Sequence, residues 1–196
     1  MCNPNSDGVH PLTPERWSDF ETLFGEHGAY AGCWCTFWQL KRSEFMKMRG
    51  EERKAAMRAL VDTGVVPGVM LYEEGQVVGW CSIGPREGFP PLERSKTLKR
   101  IDDQPVWSIV CFFISKTQRK NGVMTRLLKG AVDYARQQGA RVVEGYPINL
   151  QAPKFEGKKL IGYSGFMGIA SAFRTAGFVE VGRASETQLI MRHMIN

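Results

Sequence analysis

The stretch that decides the fold is VWSIVCFFISKTQRKNGVMTRLL, residues 106–128. Its first part, 106–114, is almost wholly apolar and rich in β-branched and aromatic residues, which predicts a central buried strand. A short polar turn follows this strand. From Val123 onward, apolar residues recur four positions apart, which predicts an amphipathic helix that ends at Gly139. A strand, a turn and a long helix are therefore expected in direct succession.

The turn between this strand and this helix has the features of a phosphate-binding site. A helix that begins near Gly122 has no internal partners for its first N–H groups, and its dipole adds about half a positive charge there. Arg119 and Lys120 add full positive charges, and Gly122 allows a ligand close to the backbone. Neither a Walker loop nor a dinucleotide fingerprint occurs. On spacing alone, a plain basic turn that caps a helix remains the alternative.

The rest of the chain predicts strands and helices that surround this unit. In chain order we expect a strand at 9–12, helices at 14–24 and 51–61, strands at 69–72 and 76–83, a short basic helix in LERSKTLKRI (92–101), then, after the long helix, a strand in ARVVEGYPI (140–148), a helix at 166–176, and strands in FVEVG (178–182) and TQLIMRHM (187–194). This order predicts one α/β domain with a mixed sheet over residues 1–196.

Composition and charge limit the class of protein. The 196 residues are 43% hydrophobic and 23% charged, which is typical of a soluble globular domain. A net charge of +6 indicates either an anionic partner or a solvated basic surface. Five scattered cysteines make a poor disulfide framework and favour a reducing compartment. Because neither a signal peptide nor a membrane-spanning run is recognisable, we expect a cytoplasmic protein without a membrane partner.

The sequence ISKTQRKNGVMTRLL resembles the acyl-CoA binding motif of the GNAT superfamily of N-acyltransferases, [QR]-x-x-G-x-[GA]. Arg119 stands at its first position and Gly122 at its fourth. Met124 stands at the sixth position, where the family prefers Gly or Ala. AFRTAGFVEVG resembles the helix and GF ending of the family, and the order of elements fits nearly the whole chain. The segments CWC, VWSIVCFF and SAFRTAGF also resemble one branch of the superfamily that carries a CWC segment.

The resemblance implies a single GNAT-like α/β domain, with a mixed, mostly antiparallel central sheet flanked by helices and two central strands splayed apart. It implies an acetyl-CoA-dependent N-acetyltransferase that moves an acetyl group to a primary amine of a small molecule or peptide by direct attack. Acetyl-CoA is then the co-substrate, and no metal is needed. A non-catalytic acyl-CoA-binding module is the alternative. No nucleic-acid motif is recognisable, so nucleic acid is not expected as a partner. The edge offered by the C-terminal strands leaves a homodimer open.

The resemblance also implies how the co-substrate is held. The main chain of Phe113 and Ile114 would pair with the pantetheine arm, and the Lys120 side chain would reach phosphate. The pyrophosphate would be bound by the N–H groups of a run that includes the turn and the first helical residues: Arg119, Lys120, Asn121, Gly122, Val123, Met124 and Thr125. A backbone N–H of the central strand would stabilise the developing oxyanion.

Glu144 and Ser171 are the candidate catalytic side chains. A lysine-type amine titrates near about 10.4 in water, so a base or a desolvating pocket must supply the neutral amine that attacks. Glu144 follows the motif helix on a strand and is the candidate base, with a solvated strand carboxylate as the alternative. Family members often use a Tyr to protonate the leaving thiolate, but Phe173 occupies that position here. Ser171, Tyr146, Tyr163 and water are the other candidate acids, or the thiolate leaves unprotonated.

The segment GCWCTFW, residues 32–38, is expected to line the acceptor end of the site. Cys33 and Cys35 supply only two zinc ligands, their one-residue gap is tight for a redox disulfide, and no base that would activate a cysteine nucleophile is identifiable. Two interpretations remain open. Cys33, Trp34, Cys35 and Trp38 form either an apolar wall that desolvates an amine or holds a cation, or part of the core.

Overall fold

The structure, a computed structural model, describes residues 6–156 and 165–195, and within them seven strands form one sheet. The strands are β1 Gly8–Pro11, β2 Gly68–Glu73, β3 Gln76–Pro85, β4 Trp107–Ile114, β5 Val142–Gly145, β6 Val179–Ser185 and β7 Gln188–Met194. Their order in the sheet is β1-β2-β3-β4-β5-β7-β6. The helices are α1 Trp17–Phe24, α2 Arg42–Lys47, α3 Gly50–Asp62, α4 Pro90–Glu93, α5 Val123–Gln137 and α6 Ala170–Thr175.

The sheet is mixed and mostly antiparallel, as predicted. Only the β4–β5 pair is parallel, and every other neighbouring pair is antiparallel. Strand β4 lies between β3 and β5, which confirms that residues 106–114 contain a central strand. A parallel pair needs a crossover connection, and α5 provides it. Within the described residues, no helix has both the length and the apolar character needed to cross a bilayer.

Helices pack on both faces of the sheet. The apolar stripe of α5 is buried on one face, in a cluster that we call the α5-side core. Its strand members include Cys81 and Ile109. On the other face, α1 packs on Trp80 and Met70 in the α1-side core. Because neighbouring residues of a strand point to opposite faces, Trp80 and Cys81 belong to different cores. A third cluster, the Tyr146 cluster, comprises Trp38, Phe89, Leu92, Leu98, Val110, Tyr146, Met167 and Ile190.

Pairing between β4 and β5 is short. Three pairs join Trp107–Ile109 to Val143–Gly145, after which β4 continues alone on this side of its ladder. The register against β3 also shifts here, because Ile109 pairs with Ile83 and Cys111 with Ser82. Val110 is therefore the extra residue of a β-bulge, a feature that bends a strand and leaves one residue out of the ladder. We call Val110–Ile114 the distal half of β4.

Two predicted helices are shorter in the structure. In the 92–101 segment, helix α4 ends at Glu93, and the Leu98 carbonyl accepts a hydrogen bond from Arg86 Nη2 at 2.6 Å instead of joining a helix. In the 166–176 segment, α6 begins only at Ala170. The Phe166 carbonyl accepts a hydrogen bond from the Phe112 N–H at 2.6 Å. Tertiary hydrogen bonds thus override the local helical pattern in both places.

A buried charge cluster joins the segment after β3 to β5 and β7. Arg86 and Glu144 are each 1% exposed, and their Nη1 and Oε1 atoms lie 3.1 Å apart. Arg192 Nε donates to the other Glu144 oxygen, Oε2, at 2.8 Å. Arg86 Nη1 also donates to the Tyr146 hydroxyl at 2.7 Å, and that hydroxyl donates to Glu144 Oε1 at 2.8 Å. Since both carboxylate oxygens have charged partners, the cluster compensates the cost of burying them.

We expect Arg86→Met to lower the free energy of unfolding by about 3 kcal/mol, because Glu144 loses one of its two buried cations. Arg136→Met is the matched control, since Arg136 forms only an exposed pair with Asp133 on α5 and its loss is expected to cost under about 0.5 kcal/mol. Denaturant unfolding of both variants measures the difference. Equal losses in the two variants would show that the buried cluster does not stabilise the fold.

Candidate active site where β4 meets α5

The connection from β4 to α5 is a tight turn with two left-handed residues. A 3-10 turn at Lys116–Gln118 follows the strand, and Lys120 and Gly122 then have φ values of 71° and 73°. This conformation is easy for Gly and uncommon for other residues. Gly122 is the N-cap residue of α5, and no side-chain hydrogen bond caps the helix. The first N–H groups of α5 are thus available to a ligand.

The surroundings of this turn suit an anion. Arg119, Lys120, Asn121 and Gly122 are all exposed. A Cβ added at Gly122 would meet nothing within 4 Å, so the space beside the backbone is open. Arg119 Nε donates to the Ile114 carbonyl at 3.2 Å, which holds that guanidinium close to the end of β4. Uncapped N–H groups, a helix dipole and neighbouring cations together favour phosphate oxygens.

The first residues of α5 divide between the core and the turn. Val123 is buried in the α5-side core, and Met124 is half-buried and packs against the same core. Thr125 is also half-buried. Because the Met124 side chain has core contacts, a residue larger than Gly or Ala is accommodated at the sixth position of the motif.

The main-chain groups of the distal half of β4 alternate in direction. The Ser115 N–H donates to the Val78 carbonyl of β3, so Phe113, two residues earlier, also directs its main chain towards β3. Phe112 and Ile114 face the other way, towards the side that β5 has left. The Phe112 N–H already binds the Phe166 carbonyl. Of the two residues expected to pair with pantetheine, Ile114 therefore has the suitable direction, and the Phe113 ring instead packs on Phe24 with 5.0 Å between centroids.

Glu144 has a different setting from the one expected of a base. Its side chain lies inside the buried charge cluster, and its two oxygens accept hydrogen bonds from Arg86, Tyr146 and Arg192. The sequence did not identify Arg86 or Arg192 as partners. The one local signal was the presence of a charged residue within the apolar run TQLIMRHM. This arrangement favours a structural role for Glu144 over proton abstraction.

The candidate acids, and Phe173 at the position of the usual acid, differ in their exposure to solvent. Phe173 is fully buried, and a Cβ added at Gly145 would lie 2.3 Å from its ring. Ser171 is exposed on α6. Tyr146 is fully buried, and its hydroxyl donates a hydrogen bond to Glu144. Burial is the main reason that the pKa of Tyr146 is raised above its usual range. Tyr163 lies outside the described residues.

The segment 33–38 lies largely in the interior. Trp34 and Cys35 are buried in the α1-side core, where the Trp34 ring stacks on Phe24 at 5.8 Å. Trp34 also borders a surface pocket of about 590 Å³. Cys33 is half-buried. Trp38 is buried in the Tyr146 cluster beside the bulged end of β4, and its indole N–H has no hydrogen-bond partner. The contacts of Trp34 and Cys35 are those of core residues, and Trp38 offers an unused donor.

Among residues 6–156 and 165–195, no group of three or more His, Cys, Asp or Glu side chains is arranged to hold a metal ion.

Solved structures with the same fold come from several acetyltransferases. A GNAT-family acetyltransferase from Streptococcus agalactiae has a TM-score of 0.54 and 12% identity, with 96% of this chain and 95% of that chain covered. The aminoglycoside acetyltransferase AAC(6')-Ib, in complex with coenzyme A and kanamycin, has a TM-score of 0.52 and 12% identity over 96% and 95%. The yncA protein from Salmonella typhimurium, with its cofactor acetyl-CoA, has a TM-score of 0.50 and 14% identity over 96% and 93%. At these identities the likeness is one of fold.

No curated protein matches this chain. The family model described as "Acetyltransferase (GNAT) family" matches residues 30–166, which is more than half of the chain and includes both β4 and the turn into α5. The resemblance seen in the sequence is therefore confirmed: the chain belongs to the GNAT family of acetyltransferases and is an acyltransferase.

Proposed function

We propose that this acyltransferase is an acetyl-CoA-dependent N-acetyltransferase, which moves an acetyl group to a primary amine of a small molecule or peptide by direct attack. The observation that carries the proposal is the uncapped N-terminus of α5, set directly behind left-handed Gly122 at the end of β4. Family membership supports the acetyl transfer. The structural neighbours in complex with coenzyme A or acetyl-CoA support the choice of co-substrate.

The pyrophosphate of acetyl-CoA is held by the N–H groups from Arg119 to Thr125, and the exposed Lys120 side chain adds a positive charge. The helix dipole strengthens these bonds because the helix N-terminus carries no competing cap. The pantetheine arm follows the distal half of β4, with the Ile114 main chain as its partner. Because Phe166 already pairs with Phe112, the arm either lies beside this contact or displaces it.

Bound acetyl-CoA would supply a thioester carbonyl near the β-bulge. Val110 is the bulged residue and has no Cα partner in the β3 ladder, and in this proposal its N–H is the donor to the oxygen on which negative charge develops. Since this donor is fixed by the sheet, it needs no reorganisation during the reaction.

Desolvation at the acceptor end replaces a dedicated side-chain base in this proposal. Because two arginines hold Glu144, this residue positions the end of β5. Phe173 has no acidic proton to donate, so Ser171 and water remain the candidate acids. We propose that Cys33, Trp34, Cys35 and Trp38 shape the acceptor end, with Trp38 closest to the chemistry through its packing near Val110. An apolar wall there favours the neutral amine over the charged one.

Acetyl-CoA at about a hundred times its dissociation constant is expected to stabilise the protein by about 2.7 kcal/mol, which raises the unfolding midpoint by roughly 5–10 °C. Gly122→Val is expected to remove this shift, because a side chain would fill the space through which phosphate reaches the backbone. Thermal unfolding with acetyl-CoA, CoA and ATP measures the effect.

Gly64→Val is the matched control for that experiment. Gly64 also has a left-handed φ, 85°, and open space around its Cβ position, but it follows α3 away from the turn. Both substitutions are expected to cost similar backbone strain, and only Gly122→Val should lose the acetyl-CoA shift. An acetyl-CoA shift that survives in Gly122→Val would contradict the assigned pyrophosphate site.

Transfer to a panel of small amines and peptides is expected to follow the pKa of the acceptor. Without a side-chain base, kcat/KM should fall about tenfold per pH unit below the acceptor pKa, because only the neutral amine attacks. The profile should move when an acceptor of different pKa is used. Release of CoA measures the rate.

Two variants separate the alternatives in this pH profile. An inflection that stays fixed across acceptors and disappears in Glu144→Gln would restore Glu144 as the base. An inflection on the alkaline side that disappears in Ser171→Ala would identify Ser171 as the acid. Acetyl-CoA binding without transfer to any acceptor would favour a non-catalytic binding module.

A further inference from the structure

Cys35 has a hydrogen-bond donor at its sulfur atom, although its side chain lies in the α1-side core and is only 3% exposed. Trp80 Nε1 donates to Cys35 Sγ at 3.1 Å. Cys111 lies two residues before Phe113, the β4 partner of Trp80, and packs against the same core. A donor beside a buried sulfur favours the thiolate, and the thiolate is the form that reacts with oxidants and disulfides.

The backbone holds Cys35 in this place by an unusual conformation. Trp34 and Cys35 have φ values of 46° and 56°, which are left-handed and rare for residues with a side chain. Gly28 makes room for the turn, because a Cβ there would lie 2.1 Å from Trp34 Nε1. Such strain persists only where the surrounding structure over-determines it, and it concentrates at functional sites.

Cys111 connects this buried sulfur to the opening beside β4. It lies in the distal half of β4, next to the bulged residue Val110, and pairs with Ser82 across the ladder. Cys111 is half-buried and packs against both the α1-side core and the Tyr146 cluster. Cys111 is therefore the more exposed of the two thiols, and Cys35 lies deeper in the core that Cys111 packs against.

The two thiols are chemically unequal. Interaction with the Cys111 thiol, opposed by burial and aided by the Trp80 indole, lowers the pKa of Cys35. The same interaction, together with burial, raises the pKa of Cys111 well above its usual range. A sulfur of lowered pKa near a second thiol suits the roles of a nucleophile and a resolving group.

We propose that Cys35 and Cys111 are a redox modification site, which a peroxide or a small-molecule disulfide converts into a reversible intramolecular disulfide. With hydrogen peroxide, the Cys35 thiolate attacks the O–O bond, becomes a sulfenic acid and releases hydroxide. The Cys111 sulfur then attacks the sulfenic sulfur, so that the S–S bond forms and the S–O bond breaks. The protons of the two thiols leave with both oxygens as two molecules of water. With a small-molecule disulfide, the Cys35 thiolate attacks one sulfur of the reagent, so that a mixed disulfide forms and the other half leaves as a thiolate. The Cys111 sulfur then displaces the second half, and the reagent is reduced to two thiols. A dithiol reductant reverses either reaction.

The other cysteines are less suited to pair with Cys35. Cys33 is separated from it by one residue, and burial raises the pKa of Cys33. Cys81 is fully buried in the α5-side core, on the opposite face of the sheet from Trp80. A bond between Cys35 and Cys111 would fix the 33–38 segment to the strand that the proposed acetyl transfer uses. Such a bond is expected to lower transfer, an expectation that rests on the proposed function.

The test treats the full-length protein, free of acetyl-CoA, with hydrogen peroxide in one arm and oxidised glutathione in the other. Remaining thiols are then alkylated, and intact mass and peptide maps are recorded. Relative to the untreated and alkylated protein, we expect three alkyl groups in place of five, a cross-link between the peptides of Cys35 and Cys111, and full reversal by dithiothreitol. Cys35→Ser and Cys111→Ser should each prevent the cross-link.

Cys81→Ser is the matched control, because it removes a thiol that is buried like Cys35 but lies on β3. Cys81→Ser and Cys33→Ser should each leave the cross-link intact. Cys111→Ser keeps the test valid if Cys35→Ser unfolds, since Cys111 is the more exposed of the pair. The proposal is overturned if neither reagent links Cys35 to Cys111, if oxygen atoms add without a cross-link, or if Cys33→Ser abolishes it. Since mass requires neither acetyl-CoA nor an acceptor, failure here is distinct from absence of acetyl transfer.

Discussion

The short parallel contact between β4 and β5 is the constraint on which the rest of the structure depends. Only Trp107–Ile109 and Val143–Gly145 are paired. Because parallel neighbours need a crossover, the chain must leave β4, run back along one face as α5 and return as β5. That path sets the N-terminus of α5 at the end of β4. It also leaves the distal half of β4 without a strand on one side, so the strand end and the helix end face the same space.

The buried charge cluster fixes the point at which the two strands part. Ser108 lies in the paired part of β4 and Tyr146 directly follows β5, and their hydroxyl oxygens are 2.9 Å apart. Glu144 sits between Arg86 and Arg192, both nearly inaccessible to water. Buried ion pairs add little net stability against apolar packing, yet they penalise any arrangement that breaks them. The cluster therefore specifies the strand geometry, and in doing so it leaves no free carboxylate at Glu144. For this reason the proposed function relies on a backbone donor and on the exclusion of water.

The aromatic segment 33–38 connects this opening to the interior. Trp34 and Cys35 belong to the α1-side core, whereas Trp38 belongs to the Tyr146 cluster next to Val110. The segment spans two clusters because left-handed residues reverse the chain between them. Cys35 is unsuited to a bond with Cys33, as the one-residue gap in the sequence indicated, but Cys111 of β4 packs against the core that holds Cys35. In the proposed redox modification, a bond at Cys35 would tie this segment to β4.

Sequence patterns were enough to predict the central strand, the helix that follows it, the glycine at their junction and the family. Each of these depends on residues close together in the chain, so hydrophobic period and turn chemistry suffice to predict them. The partners of Glu144, which lie 58 and 48 residues away, and the packing of Cys111 against the core that holds Cys35 depend on the tertiary structure. It also shortened two helices, where Arg86 and Phe112 bind carbonyl groups that a helix would have used. Local periodicity reports which face a residue points to, but the order and register of strands decide what it meets there.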